Sequence, residues 1–181
     1  KKFLIIGNVN SITCKEIFPY IRDGKMWLGP SIRSGDRKFR VPDNYPLNAA
    51  GCGIDTHGIR FIRVKGVRWF TNLDHNKRHE LLDLVCRYSP EEYPHYDNYD
   101  AINVDKTSDI PCNYPGAMGV PITFLDKYNP EQFEILNAND FRKNNSVPCK
   151  QHGLIKDKDG AINGKPTYAR ILIRNKHPQQ L

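Results

Sequence analysis

Two β-rich runs, 59–64 (IRFIRV) and 67–73 (VRWFTNL), stand side by side with only Lys65-Gly66 between them. Runs of β-branched and aromatic residues split by two residues, one of them Gly, predict a hairpin, although Lys-Gly is not the preferred turn pair. This commits the middle of the chain to sheet. A second constraint is 3–7 (FLIIG), a continuous apolar run with β-branched Ile5 and Ile6. It is expected to be a strand buried on both faces, as in a parallel sheet.

The pattern around these runs is mixed. Ser11 or Thr13 is expected to cap a short helix through Cys14–Asp23, with Ile17, Phe18 and Ile21 on one side. Pro19 kinks or shortens that helix, and Gly24 stops it. Lys25–Leu28 reads as a strand. Residues 29–58 read as a long irregular segment with a short strand near Phe39–Val41, and loops of that length are often functional. His79–Arg87 fits a short helix with Leu81, Leu82 and Val85 inward. Strands are expected at Ala101–Val104, Val120–Leu125, Gln132–Leu136 and Tyr168–Arg174, with Pro121 near a sheet edge or a strand start. Residues 141–165 read as a polar, basic surface excursion with Asp-Lys-Asp-Gly and Asn-Gly turns.

The net charge of +7 favours a polyanionic partner, nucleic acid before membrane. No apolar run approaches the ~20 residues of a membrane span, and Lys1-Lys2 is followed by too few apolar residues for a signal peptide. The chain opens without Met, directly on a strand, and so reads as a processed product or a fragment. Its five cysteines are scattered, with no CxxC pair. That argues against a disulfide framework or zinc ribbon and points to a reducing, cytoplasmic compartment. His75 and His79 would share a helix face, but no third ligand lies nearby, so no metal site is expected.

No GxGxxG, GxxxxGK[ST] or GxSxG motif occurs, and nothing nominates a catalytic nucleophile. What the chain holds is aromatic residues beside basic ones. Arg60, Arg63, Lys65 and Arg68 flank Trp69 and Phe70, and Lys77 and Arg78 follow. Cations hold phosphates, and an aromatic face stacks an unpaired base for about 1–3 kcal/mol. Asn72 can offer a donor and an acceptor to a base edge. Adjacent strand residues face opposite sides, so one of Trp69 and Phe70 belongs to the core, and the charges equally suit a solvated hairpin face. Asn8 and Asn10 follow the first strand, where an open α/β sheet binds ligands; a turn or cap role serves them better. Arg142, Lys143, Lys150, Lys156, Lys158 and Lys165 could contact phosphates, against Asp157 and Asp159, or could line a solvated loop.

Four blocks carry a resemblance: 7–13 (GNVNSIT), 67–73 (VRWFTNL), 96–104 (YDNYDAINV) and 118–136 (MGVPITFLDKYNPEQFEIL). They resemble the EcoRI-type adenine-specific DNA methyltransferases. The last block is specific, and the match runs through about residue 137 and resumes near Asn163–Lys176. The resemblance implies methyl transfer from S-adenosylmethionine to N6 of adenine in duplex DNA, within a restriction-modification system. It implies an α/β fold, the C-terminal part of a Rossmann-like sheet plus an irregular, β-rich target-recognition region. Residues 1–8 then match the strand after the catalytic motif. Residues 59–73 match a terminal hairpin whose turn lines the flipped-base pocket, which favours Phe70 with Trp69 as the alternative and Asn72 beside them. Residues 1–87 form the sheet part, and 88–181 hold the recognition region. Arg63, Lys65, Arg68, Lys77, Arg78, Arg142 and Lys143 are the candidate DNA contacts. The glycine-rich cofactor motif and the Asn-Pro-Pro-Phe catalytic motif of the family are absent here. No catalytic residue or cofactor ligand is therefore carried over, and the cofactor is expected to bind mainly to a half that this sequence lacks. The competing readings are a stand-alone, non-catalytic DNA-binding module and an RNA-modifying relative.

Overall fold

A computed structural model describes residues 1–33, 35–143 and 153–180. Lys150 and Cys149, and the middle of the basic excursion, lie outside them. In chain order the strands are β1 (Leu4–Asn8), β2 (Trp27–Leu28), β3 (Arg37–Arg40), β4 (Gly53–Ile54), β5 (Arg60–Val64), β6 (Val67–Thr71), β7 (Ile102–Asn103), β8 (Met118–Pro121), β9 (Phe133–Ile135), β10 (Ala161–Ile162), β11 (Lys165–Pro166) and β12 (Arg170–Asn175). Among the described residues they make four small sheets, joined by 3-10 turns and one short helix, α1 (Phe18–Arg22). The fold is mixed and β-rich.

The first sheet has the order β1-β6-β2. β6 runs antiparallel to both neighbours, so β1 and β2 point the same way on either side of a reversed strand. Ile5 and Leu28 both sit opposite Phe70, and Ile6 sits opposite Trp69. The expected hairpin does not form. β5 instead joins a second sheet, β3-β5-β4, and the chain changes sheets at Lys65-Gly66. The two-residue hairpin turn needs positive φ at both central residues or Gly at the first, whereas Gly, at φ +68°, is here the second. The end of β1 takes up both turn carbonyls: Asn8 Nδ2 donates to Lys65 O at 2.9 Å and Val9 N to Gly66 O at 2.6 Å.

β1 also departs from expectation. It is an edge strand, and Leu4, Ile5 and Ile6 are 54%, 55% and 44% exposed. Apolar on both faces, it has a described neighbour on one side only.

The expected helix at His79–Arg87 is absent. A 3-10 turn at Asn76–Arg78 is followed by extended chain. Its backbone groups find partners far away. Gln132 accepts from Leu82 N and donates to Leu82 O, both at 2.8 Å, and Cys86 O accepts from Cys112 N at 2.9 Å. A segment whose polar backbone is satisfied across the fold gains nothing from a helical ladder. The strand expected over Val120–Leu125 ends at Pro121, and a 3-10 turn, Ile122–Lys127, follows. Pro lacks the N–H that a continuing ladder needs.

The third sheet, β7-β8-β12-β9, pairs Ile171 with Val120 and sets Ile173 between Met118 and Ile135. Its apolar face completes a core that crosses the chain's midpoint. Ile12, Phe18, Ile21, Leu28 and Phe70 pack in one cluster with Ile102, Met118, Phe124, Phe133 and Ile171. The fourth sheet is the hairpin β10–β11, closed by Asn163-Gly164 at φ 50° and 72°. This is the Asn-Gly turn that the sequence signals.

Arg68 ties the first sheet to the second half. Its Nε reaches Asp126 Oδ1 at 3.0 Å and its Nη2 reaches Asp126 Oδ2 at 3.1 Å. Nη1 donates to Val67 O and Nη2 also to Arg33 O. The two side chains are 6% and 12% exposed. Removing one partner of such a pair strands a buried charge, which costs about 3–5 kcal/mol. Arg68→Ala and Asp126→Ala are each expected to lose that much unfolding free energy in urea titrations. The double variant Arg68→Met/Asp126→Leu is expected to recover most of it. A single-variant loss below about 1 kcal/mol, the range of a solvated pair, would contradict the assignment.

Candidate functional site

β1 and β2 end on the same side of the first sheet, and β6 begins there. Three strand ends therefore gather at this edge of the sheet. At the end of β1, Asn8 Oδ1 accepts from Asn10 N at 2.9 Å while its Nδ2 holds Lys65 O. Both ends of the Asn8 amide are therefore spent on local backbone. At the end of β2, Gly29 N donates to Trp69 O at 2.9 Å. A Cβ on Gly29 would lie 2.8 Å from Trp69 Cβ, so only Gly lets the chain pass there.

The three base-pocket candidates separate clearly. Phe70 is 5% exposed and packs in the main core; its ring also lies over Gly7, where a Cβ would be 2.9 Å from Cε2. Trp69 points to the other face, beside the exposed Ile6, and is half-buried. Asn72 closes the sheet's start. Its Oδ1 accepts from Phe3 N at 2.9 Å and its Nδ2 donates to Lys1 O at 2.8 Å.

The candidate phosphate contacts separate as well. Arg63 and Lys65 are exposed and Lys77 is exposed with a 3.1 Å pair to Glu80. Arg68 is committed to Asp126. Arg78 lies over the Trp27 ring, its Cζ 3.7 Å from the centroid; burial there lowers its pKa, opposed by Tyr128 and Asp74. Arg142 Nη2 pairs with Asp159 at 2.7 Å and donates to Tyr99 Oη at 3.0 Å. Burial, then the hydrogen bond to Asp159, raises the Tyr99 hydroxyl above its usual range. Lys143 Nζ donates to Tyr96 O at 2.9 Å. Arg142 and Lys143 thus fasten the second half internally, while Arg63, Lys65 and Lys77 face water.

The sequence reading missed two participants. Arg33 and Asp126 line a cleft of about 250 Å³ with Lys77, Glu80 and Lys127. Asp126 stood in the most specific sequence block, but nothing there signalled a partner 58 residues upstream. His75 and His79 do not converge: His75 Nε2 lies 3.0 Å from Leu28 O, and His79 Nε2 lies 2.9 Å from Asp74. Among the described residues no group of three His, Cys, Asp or Glu is placed to hold a metal ion.

The family described as "Adenine-specific methyltransferase EcoRI" matches residues 1–176. The chain belongs to this family of adenine-specific methyltransferases. It is 50% identical over 182 residues to the type II methyltransferase M.EcoRI of Escherichia coli, a match covering 99% of this chain and 52% of that protein. It is 34% identical to the type II methyltransferase M.MpnI of Mycoplasma pneumoniae, over 97% of this chain and 57% of that one. M.MgeORF184P of Mycoplasma genitalium is 35% identical over 96% of the chain and 57% of its own length. The chain thus spans about half the length of these relatives. No solved structure matches it.

The opposite faces of Phe70 and Trp69 give them different fates on truncation. Phe70→Ala is expected to cost about 3–5 kcal/mol of unfolding free energy, as for a buried aromatic side chain. Trp69→Ala is expected to cost less than half of that. Equal losses in urea titrations would show that Trp69 is as much a core residue as Phe70.

Proposed function

We propose that this chain is one half of a site-specific DNA adenine N6-methyltransferase. In this reading it supplies the last strands of the catalytic sheet and the DNA-recognition surface. The observation that carries the proposal is the 50% identity to a type II methyltransferase along 99% of the chain. The strand order supports it. A reversed strand, β6, set between two like-directed strands makes a sheet end whose ligand edge is the carboxyl end of β1 and β2. The exposed apolar β1 supports it too: Leu4, Ile5 and Ile6 are covered once the sheet continues past this edge. The reading assigns that continuation to the part of the relatives that this chain does not span. S-adenosylmethionine and the catalytic groups belong with that part.

Within the reading, the target base must leave the helix. Of the three pocket candidates, Trp69 is half-buried on the face away from Phe70, whereas Phe70 packs in the core and Asn72 holds the start of β1 in register. Arg63 and Lys65 are exposed cations placed to meet phosphates, and Lys77 is exposed but paired with Glu80. In this reading the protein works on DNA in a bacterial cytoplasm, in keeping with its bacterial methyltransferase relatives.

The protein that contains this segment, given S-adenosylmethionine with a labelled methyl group and plasmid DNA, is expected to place the label on N6 of adenine at one short sequence. Label on cytosine, on RNA, or nowhere would overturn the proposal.

A further inference from the structure

The charge of this chain is concentrated in one half. Residues 1–87 hold 16 Lys and Arg against 8 Asp and Glu, a net +8, whereas residues 88–181 hold 11 against 12, a net −1. A duplex-binding surface relies on positive charge, so the second half is the poorer place for it. Within the first half, residues 31–66 alone carry seven Lys and Arg against three Asp.

Those residues build the β3-β5-β4 sheet, where strand register sorts the side chains by face. Lys38 lies directly opposite Arg63, and Arg40 opposite Phe61, which in turn lies opposite Gly53. Alternate residues share a face, so Lys38, Arg40, Phe61 and Arg63 stand together. All three cations are exposed. The Phe61 ring lies over Gly53, where a Cβ would be 3.3 Å from Cζ, and Lys38 Nζ sits 4.5 Å from the ring centroid. Among the described residues no carboxylate pairs with Lys38, Arg40 or Arg63. Like charges set directly opposite each other destabilise a sheet. An anion laid across them removes that penalty. The opposite face carries Phe39, Ile62 and Val64 together with Arg37 and Arg60, so three apolar side chains of the sheet lie away from Lys38, Arg40 and Arg63. No described residue of 31–66 enters either hydrophobic core cluster. The lobe leaves the first sheet after β2 and returns into β6, with its return held by Asn8. It therefore hangs at the carboxyl ends of β1 and β2, beside the edge where the first sheet would take a ligand.

We infer that the face of β3–β5 formed by Lys38, Arg40, Arg63 and Phe61 is a duplex DNA backbone-binding surface, with the three cations on phosphates. The inference rests on the DNA reading above and gathers the backbone contact on one sheet face within residues 31–66. Arg63 belongs to both readings; Lys38 and Arg40 are new.

The test is fluorescence anisotropy of the whole chain on a labelled duplex across a sodium chloride series. The variant is Lys38→Gln/Arg40→Gln/Arg63→Gln, and the control is Lys106→Gln/Lys156→Gln/Lys158→Gln in the second half. The slope of log affinity against log salt is expected to fall by about 2–3 in the first variant, at about 0.9 per lost phosphate contact. It is expected to stay unchanged in the control. If the triple variant fails to fold, as judged by circular dichroism, the single variants must each lower the slope by about 1. A duplex-binding parent whose slope is unchanged in the first variant overturns the surface and leaves the DNA reading standing. A parent with no duplex affinity, or one that prefers RNA of the same length, overturns both.

Discussion

The buried pair of Arg68 and Asp126 is the constraint on which the rest of this structure depends. Both groups are nearly out of water, and their attraction repays the loss of hydration only because the geometry is bidentate and the remaining guanidinium hydrogens reach the carbonyls of Val67 and Arg33. The pair locks the middle strand of the first sheet to the turn that follows β8. It also holds the chain after β2 in place through Arg33. Once Arg68 is so committed, Phe70 must turn to the opposite side from Trp69, and the shared core can close over it.

From that anchor the placement of the basic lobe follows. β6 enters the sheet directly after Gly66, so residues 31–66 leave and rejoin the fold at one end. None of the described residues among them enters the core clusters, and Lys38, Arg40 and Arg63 lie exposed. Arg142 and Lys143 show the contrary case. They stand in a basic stretch of sequence, yet Asp159, Tyr99 and the carbonyl of Tyr96 absorb them. A basic run in sequence says little about where charge is free; the pairing of each cation decides it.

Much of the fold was legible where the signal is local. The β-rich runs at 59–64 and 67–73, the short helix limited by Pro19 and Gly24, the Asn-Gly turn and the last strand all follow from propensity and turn chemistry. The failures share one cause. The hairpin at Lys65-Gly66 lost to β1, 57 residues away; the helix at His79–Arg87 lost to Gln132, 50 residues away. In both places distant side chains or backbone satisfied the polar groups that local structure would have used. β1 looked like a strand buried on both faces, and its composition still says so, but its outer side has no described neighbour. Of the site, the exposed cations at 63, 65 and 77 stood in the pattern, as did the rule that one of Trp69 and Phe70 is core; the pattern did not say which, and Phe70, the residue favoured for the base pocket, is the buried one. Lys38 and Arg40 lie beside and within the short strand expected near Phe39–Val41, but four residues leave too little periodicity to reveal a face.

The central claim is that this chain meets DNA and that the methyl donor binds elsewhere in the relatives' length. Titrating the 181-residue chain with duplex DNA and, in the same buffer, with S-adenosylmethionine in a calorimeter tests it most directly. The account predicts salt-sensitive heat on DNA and none on S-adenosylmethionine. A saturable S-adenosylmethionine site in a chain that ignores duplex DNA would contradict it.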